Sequence, residues 1–194
     1  MPVTTGVVLA AGASERMGRP KLLLPYSDTT ILGATIEVVE ASRLDHVIIV
    51  TGFGGETIEA SVEARRSLIV TNPDYRRGNM SSLLAAVDSG PESDAFVLIP
   101  GDQPTMRTSV LNDMVALWQA ETPWAAVTDY RDRSGHPMLL SADAVEETRP
   151  FVGEKVLGRL LLDTDDERVV RLDAPFDAPR DVNTPEDYEK LLGE

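Results

Sequence analysis

Apolar positions in this chain fall into short runs that alternate with helically spaced segments from end to end. Residues 3–9 open as a strand, and residues 30–42 place Ile31, Ala34, Ile36, Val38 and Val39 at the spacing of a helix. Residues 45–51 predict a second strand, 56–66 a helix, Ser67–Thr71 a short third strand and 81–89 a further helix. A fourth strand over 94–100 leads to a helix over 108–120. A fifth strand covers 124–128, and 138–140 lies near another. Residues 154–162 read helical and 168–172 extended. Pro185–Leu192 is a terminal helix with Thr184 as N-cap and Asp187 three residues on. Short apolar strands alternating with helices imply an α/β class, with a mostly parallel sheet covered on both faces. In such sheets ligands collect at the carboxyl ends of the strands. No repeat or linker interrupts the pattern, and the acidic turn at 163–167 reads as solvated surface, so one domain over 1–194 is expected.

Composition narrows the picture. At 194 residues with 42% hydrophobic content the chain is long enough for a core that needs no staples. No apolar run approaches the roughly 18 residues of a spanning helix. No basic segment precedes the first strand, which makes the cytoplasm the expected location and a membrane partner unexpected. The absence of cysteine excludes disulfides, thiolate metal sites and a cysteine nucleophile. The net charge of −14 repels nucleic acid at long range, so an anionic ligand has to be met by locally clustered cations. Arg16, Arg19 and Lys21 form such a cluster.

Those cations lie in the segment that follows the first strand. Leu9, Ala10, Ala11 and Gly12 end the apolar run, and Ala13, Ser14, Arg16, Gly18 and Lys21 carry small and cationic residues beyond it. Backbone N–H groups in a loop of this kind can face phosphate oxygens while the side chains neutralise them. It is not a Walker A loop: Gly12 and Gly18 have five residues between them, and Arg19-Pro20-Lys21 follows. The second strand ends in Gly52-Phe53-Gly54-Gly55, which carries no cation and reads as a plain turn. The third ends near Asn72, and Gly78, Ser81 and Ser82 mark a helix start able to face a ligand or simply to cap the helix. After the fourth strand come Gly101, Asp102, Gln103 and Pro104. Asp102 stands where a cation bridging phosphates would sit. Near the end, Asp181 and Asn183 offer hard oxygen ligands on one side of an extended segment, and capping of the next helix is the alternative for Asn183. His46 reads as structural, and His136 lies in what looks like a tight turn before residues 138–140.

The sequences LAAGASERMGRPKLLLP, NPDYRRGNMSSL, GDQP, SGHP and DVNTPEDY, in that order, resemble the molybdenum-cofactor nucleotidyltransferases, and the resemblance spans essentially the whole chain. It implies a Rossmann-like, glycosyltransferase-A-type domain that joins a nucleoside triphosphate to molybdopterin and releases pyrophosphate. Leu-Ala-Ala-Gly, with GDQP and the GHP segment, is similar to the subgroup that uses CTP and makes molybdopterin cytosine dinucleotide. The Cβ of Ala11 would narrow the base pocket towards a pyrimidine. The resemblance further implies that Leu9 to Ser14 and Lys21 hold the triphosphate, with Arg16 and Asp102 as the other catalytic groups. Asn72, Gly78, Ser81, Ser82 and Gly101 would contact nucleotide, and Gln103 and His136 the acceptor. Asp102 with Asp181 or Asn183 would bind Mg²⁺ or Mn²⁺. The implied partners are CTP, molybdopterin and a receiving apo-molybdoenzyme of the xanthine oxidase type or its chaperone. Ser134 stands where the family carries arginine, with Arg131 and Arg133 near enough in sequence to replace it. Same-fold transferases acting on phospholactate, isoprenoid or sugar precursors remain alternatives, as does a non-catalytic delivery module.

Overall fold

A computed structural model describes residues 2–151, 153, 156–162 and 164–193. Seven strands form one sheet in the order β5-β4-β1-β6-β8-β7-β9. These are β1 (Thr4–Ala10), β4 (His46–Thr51), β5 (Ser67–Thr71), β6 (Ala95–Pro100), β7 (Ala125–Tyr130), β8 (Ser134–Ser141) and β9 (Val169–Ala174). β2 (Pro25–Tyr26) and β3 (Thr29–Thr30) make a small separate hairpin. β5, β4, β1 and β6 are mutually parallel, β7 is parallel to β9, and β8 runs antiparallel between β6 and β7. The helices are α1 (Ile31–Glu40), α2 (Gly55–Glu59), α3 (Asn79–Ser89), α4 (Thr108–Glu121), α5 (Ala142–Thr148), α6 (Val156–Leu161) and α7 (Pro185–Leu192).

The period of two along each strand divides the core. Val8 and Ile49 face a layer with Leu32, Ile36, Leu111 and Met114 of α1 and α4. Their neighbours Val7 and Ile48 face Met80 and Leu83 of α3, Val145 of α5 and Leu157 of α6. A strand buried on both faces reads as an unbroken apolar run, which is why β1, β4 and β6 were visible in the sequence. A third, smaller cluster joins Met17, Leu24, Ile31, Val182 and Leu191. It clamps the chain's last segment against the loop after β1. Among the described residues, no helix is long and apolar enough to cross a membrane.

Three expectations need correction. The helix expected over 56–66 ends at Glu59. Instead, Arg66 turns back on the end of α1, donating to the carbonyls of Glu40, Leu44, Val39 and Ser42. A guanidinium there satisfies carbonyls that the helix leaves open, which favours the extended approach over another helical turn. Residues 134–137 are the start of β8 rather than a tight turn. The reversal lies earlier, where Tyr130 N–H meets the Arg133 carbonyl. α5 was not anticipated. Ser141 caps it by accepting from Ala144 N–H, and Ala144, Val145 and Thr148 are buried. Of the helix expected over 154–162, residues 154 and 155 lie outside the described residues, and α6 begins at Val156.

Candidate active site

Because β1, β4, β5 and β6 are parallel, the loops that leave their carboxyl ends converge on one edge of the sheet. The loop after β1 folds tightly on itself. Ser14 sits in the left-handed region at φ 55°, and its carbonyl accepts the N–H groups of Met17 and Gly18. Its hydroxyl accepts Lys21 N–H at 3.2 Å. Met17 is buried in the third cluster, which anchors the loop and leaves Arg16 and Gly12 exposed. Among the described residues no acceptor engages the N–H groups of Gly12, Ala13 and Ser14. Ala10 is fully buried, backbone and side chain alike, and presents no surface to a ligand. Leu9 is half-buried.

Beyond this loop the third cluster delivers residues 181–183. The Lys21 ammonium lies 2.5 Å from Asp102 Oδ2 and donates to Asn183 Oδ1 at 3.0 Å. Arg16 Nη2 donates to the same Asn183 oxygen at 2.9 Å. Asn183 is not the helix cap. Thr184 caps α7 in a full capping box with Asp187, which leaves the Asn183 side chain to the two cations. Lys21 and Asp102 are 16% and 13% exposed, so their attraction is poorly screened. Burial raises the Asp102 pKa above its ordinary value. Lys21 opposes this by its charge and hydrogen bond, and the Asp181 carboxylate adds to the rise. Gly101 is packed so closely that a Cβ would lie 3.0 Å from the Leu9 carbonyl, which draws the β6 loop, and with it Asp102, against β1.

Gln103, the next residue, is 3% exposed and donates from Nε2 to Asp181 Oδ1 at 2.5 Å, while its own Oε1 is buried without a partner. Arg133 Nη2 donates to the Pro179 carbonyl and lies 3.9 Å from Asp181. Arg131 instead turns to the Pro175 carbonyl and Asp177, so Arg133 is the arginine that reaches the site. Ser134 donates to Asp129 at 2.5 Å, with Arg171 Nη1 3.4 Å away. A cleft of about 300 Å³ beside Asp181 is lined by Arg133, Arg180, Asn183, Asp187 and Lys190. A larger cavity of about 780 Å³ beside α1 carries Asp28, Glu37, Glu40 and Glu63, and its Arg66 is engaged by the α1 carbonyls. Carboxylates make it a poor host for a polyphosphate.

The Asp181 carboxylate is close enough to raise the Asp102 pKa, and Asn183 adds an amide oxygen beside Asp102's partner Lys21. Among the described residues no group of three or more His, Cys, Asp or Glu side chains converges as a metal site. The carboxylates of Asp102 and Asp181 and the amide oxygen of Asn183 are hard oxygen donors of the type that could hold a divalent cation.

His136 lies half-buried in β8, and its carbonyl accepts the Tyr130 hydroxyl at 2.7 Å. Burial pulls the imidazole pKa down to about 4, opposed by the Asp181 carboxylate, so the ring is neutral at pH 7. The unfolded chain then binds more protons than the folded one between the ordinary value of about 6.5 and about 4. This contribution is fully present above pH 6.5 and is lost as pH falls through that window. Melting temperatures from pH 7 to pH 4 should therefore fall less steeply for His136→Asn than for the parent protein.

The remaining expected residues gather at the end of β5. Asn72 is buried and donates from Nδ2 to Ser81 and Ser82 Oγ at 3.0 Å each, while its Oδ1 accepts Asp74 N–H. The Ser81 hydroxyl donates to the carbonyls of Asp74 and Gly78. These buried side chains shape the turn. Gly78 adopts φ 90°, ψ −179°, a conformation that other residues avoid. Gly78→Ala is expected to destabilise the fold by about 1–3 kcal/mol and to disturb this turn, measured by denaturant unfolding. The segment is tied to the β1 loop through Gly52. A Cβ there would lie 2.8 Å from Tyr75 Cβ and 2.9 Å from Ala11 Cβ. Phe53 and Tyr75, which sequence reasoning passed over, flank this junction. The signal for Phe53 was present as an aromatic residue in an otherwise glycine-only turn.

Comparison with known proteins identifies the family and the fold. Residues 6–169 match the model of the MobA-like NTP transferase domain. The chain is 29% identical over 185 residues to the molybdenum cofactor cytidylyltransferase of Escherichia coli K12, covering 94% of this chain and 92% of that protein. It is 30% identical over 164 residues to the nicotine blue oxidoreductase of Paenarthrobacter nicotinovorans, covering 81% and 78%. Rv0371c of Mycobacterium tuberculosis H37Rv superposes with a TM-score of 0.89 at 32% identity, over 100% of this chain and 99% of that one, and has also been crystallised in complex with manganese. With the phosphate-type loop after β1 and the cation–carboxylate cluster beside it, the chain belongs to the MobA-like NTP transferase family of nucleotidyltransferases.

Proposed function

We propose that the protein transfers CMP from CTP to molybdopterin, forming molybdopterin cytosine dinucleotide and pyrophosphate. The observation that carries this reading is the cluster of Lys21, Arg16, Asp102 and Asn183 beside the open N–H groups of Gly12 to Ser14. The near-full-length similarity to a molybdenum cofactor cytidylyltransferase supports it. An oxygen of the acceptor's terminal phosphate attacks the α-phosphorus. The new P–O bond forms as the bond to the β-phosphate oxygen breaks, and pyrophosphate leaves with that electron pair. A phosphate is already ionised near pH 7, so no general base is required, and the work is positioning and neutralisation of charge.

Residues Gly12 to Ser14 cradle the triphosphate through their N–H groups, while Arg16 and Lys21 neutralise it. Leu9, Ala11 and the Asn72–Ser82 turn border ribose and base. Asp102, with Asp181 or Asn183, would hold a divalent cation, Mg²⁺ or Mn²⁺, which would supply positive charge to offset that of the phosphates. Gln103 fixes the Asp181 carboxylate on the acceptor side of the site. His136, held neutral, faces the same side together with Arg133 and the cleft beside Asp181. A receiving apo-molybdoenzyme of the xanthine oxidase type, or its chaperone, then takes the product. The test is incubation of the purified protein with molybdenum-loaded molybdopterin and CTP, GTP or ATP in turn, the product being identified by mass. Cytosine dinucleotide from CTP is expected. Equal turnover of GTP would remove the base assignment, and binding without pyrophosphate release would favour a delivery module.

A further inference from the structure

We infer that Phe53, with Tyr75 beside it, is the nucleobase-stacking wall of this site, a role that rests on the nucleotide-transfer reading. Phe53 is 51% exposed although it lies in the loop that leaves the buried end of β4, so the fold does not use its ring for core packing. Its backbone is nevertheless tightly fixed. Phe53 N–H donates to the Ala11 carbonyl at 3.2 Å, and Gly52 packs against Ala11 so closely that no Cβ fits between them. Gly54, in the left-handed region at φ 69°, turns the chain immediately afterwards into α2. An exposed aromatic ring on a rigid mount, hydrogen-bonded to the residue that opens the phosphate loop, is placed to receive a flat apolar face.

Tyr75 completes the surface. Its ring centroid is 6.4 Å from that of Phe53, tilted by 60°, and the Arg76 guanidinium lies 5.7 Å from the same ring. Tyr75 belongs to the turn after β5, so the two rings come from the loops of neighbouring parallel strands and meet over Gly52. Every base offers a π-face, so such a wall holds a base without choosing which one. Selection between pyrimidine and purine then belongs to the depth left above Ala11, and affinity to Phe53.

Phe53 is exposed, so its replacement leaves the core intact. Calorimetry with CTP, and separately with inorganic triphosphate as a base-free probe, both with Mg²⁺, tests the assignment on the parent protein, Phe53→Ala and Phe53→Trp. Phe53→Ala is expected to weaken CTP binding about 10-fold and to leave triphosphate binding within about twofold. Phe53→Trp should retain CTP binding and report it by quenching of the new indole. Unchanged CTP affinity in Phe53→Ala would overturn the proposal, and so would an equal loss for triphosphate, since the ring would then be holding the loop rather than a base. A parent protein that binds none of CTP, GTP and ATP would instead overturn the transfer reading on which the proposal rests.

Discussion

Asp102→Ala is expected to lower kcat for pyrophosphate release from CTP by roughly 10³-fold, the scale of losing a preorganised group that acts on transition-state charge. The carboxylate sits at the end of β6, 13% exposed and facing Lys21. Burial and Asp181 both raise its pKa, which means that the fold holds negative charge where it is unfavourable unless a cation is near. Removing it leaves Lys21 with Asn183 as its remaining partner and leaves Asp181 as the carboxylate of the divalent-cation set. CTP affinity should change much less than kcat, because the Gly12 to Ser14 amides and Arg16 are untouched. Asp102→Asn, which keeps the shape, should lose nearly as much activity as Asp102→Ala. Steady-state kinetics at several Mg²⁺ concentrations checks this, and near-normal kcat in Asp102→Ala would sink the assignment.

Lys21→Ala should lower kcat/KM by roughly 10³-fold, with both KM and kcat affected, because its ammonium would neutralise the triphosphate in the ground state and pyrophosphate as it leaves. Lys21→Arg should rescue only a small part. The ammonium bridges Asp102 and Asn183 at 2.5 and 3.0 Å, and a planar guanidinium does not fit that compact position. The same substitution leaves the Asp102 carboxylate buried without its counter-charge, so Lys21→Ala should also melt at a lower temperature than Asp102→Ala. Initial rates at varied CTP, alongside thermal melting, separate the two effects.

The central strands β1, β4 and β6 were legible because each is buried on both faces and so reads as a continuous apolar run. The capping box at Thr184 was legible because it is a local pattern. Residues 56–66 were misjudged for the opposite reason. Helical spacing was present, but Arg66 is drawn to the carbonyl end of α1, a contact more than twenty residues away in sequence. His136 was misplaced likewise. Gly135 and Pro137 look like turn residues, and it is the pairing of Ser134 and Gly135 with β7 that extends this end of β8 into a strand.

The sequence alone determined the α/β class and the loop after β1, and it marked Lys21 and Asp102 as separate strand-end candidates, because strand periodicity and strand-end residues are local properties. Only the tertiary structure decided that Asn183 meets Lys21 and Arg16, that Gln103 grips Asp181, and that Arg133 rather than Arg131 faces the site. Those contacts join segments 48 to 167 residues apart, and they exist because Met17, Ile31, Val182 and Leu191 bury one another. Burial of that small cluster is a property of the whole chain, and no window of the sequence contains it.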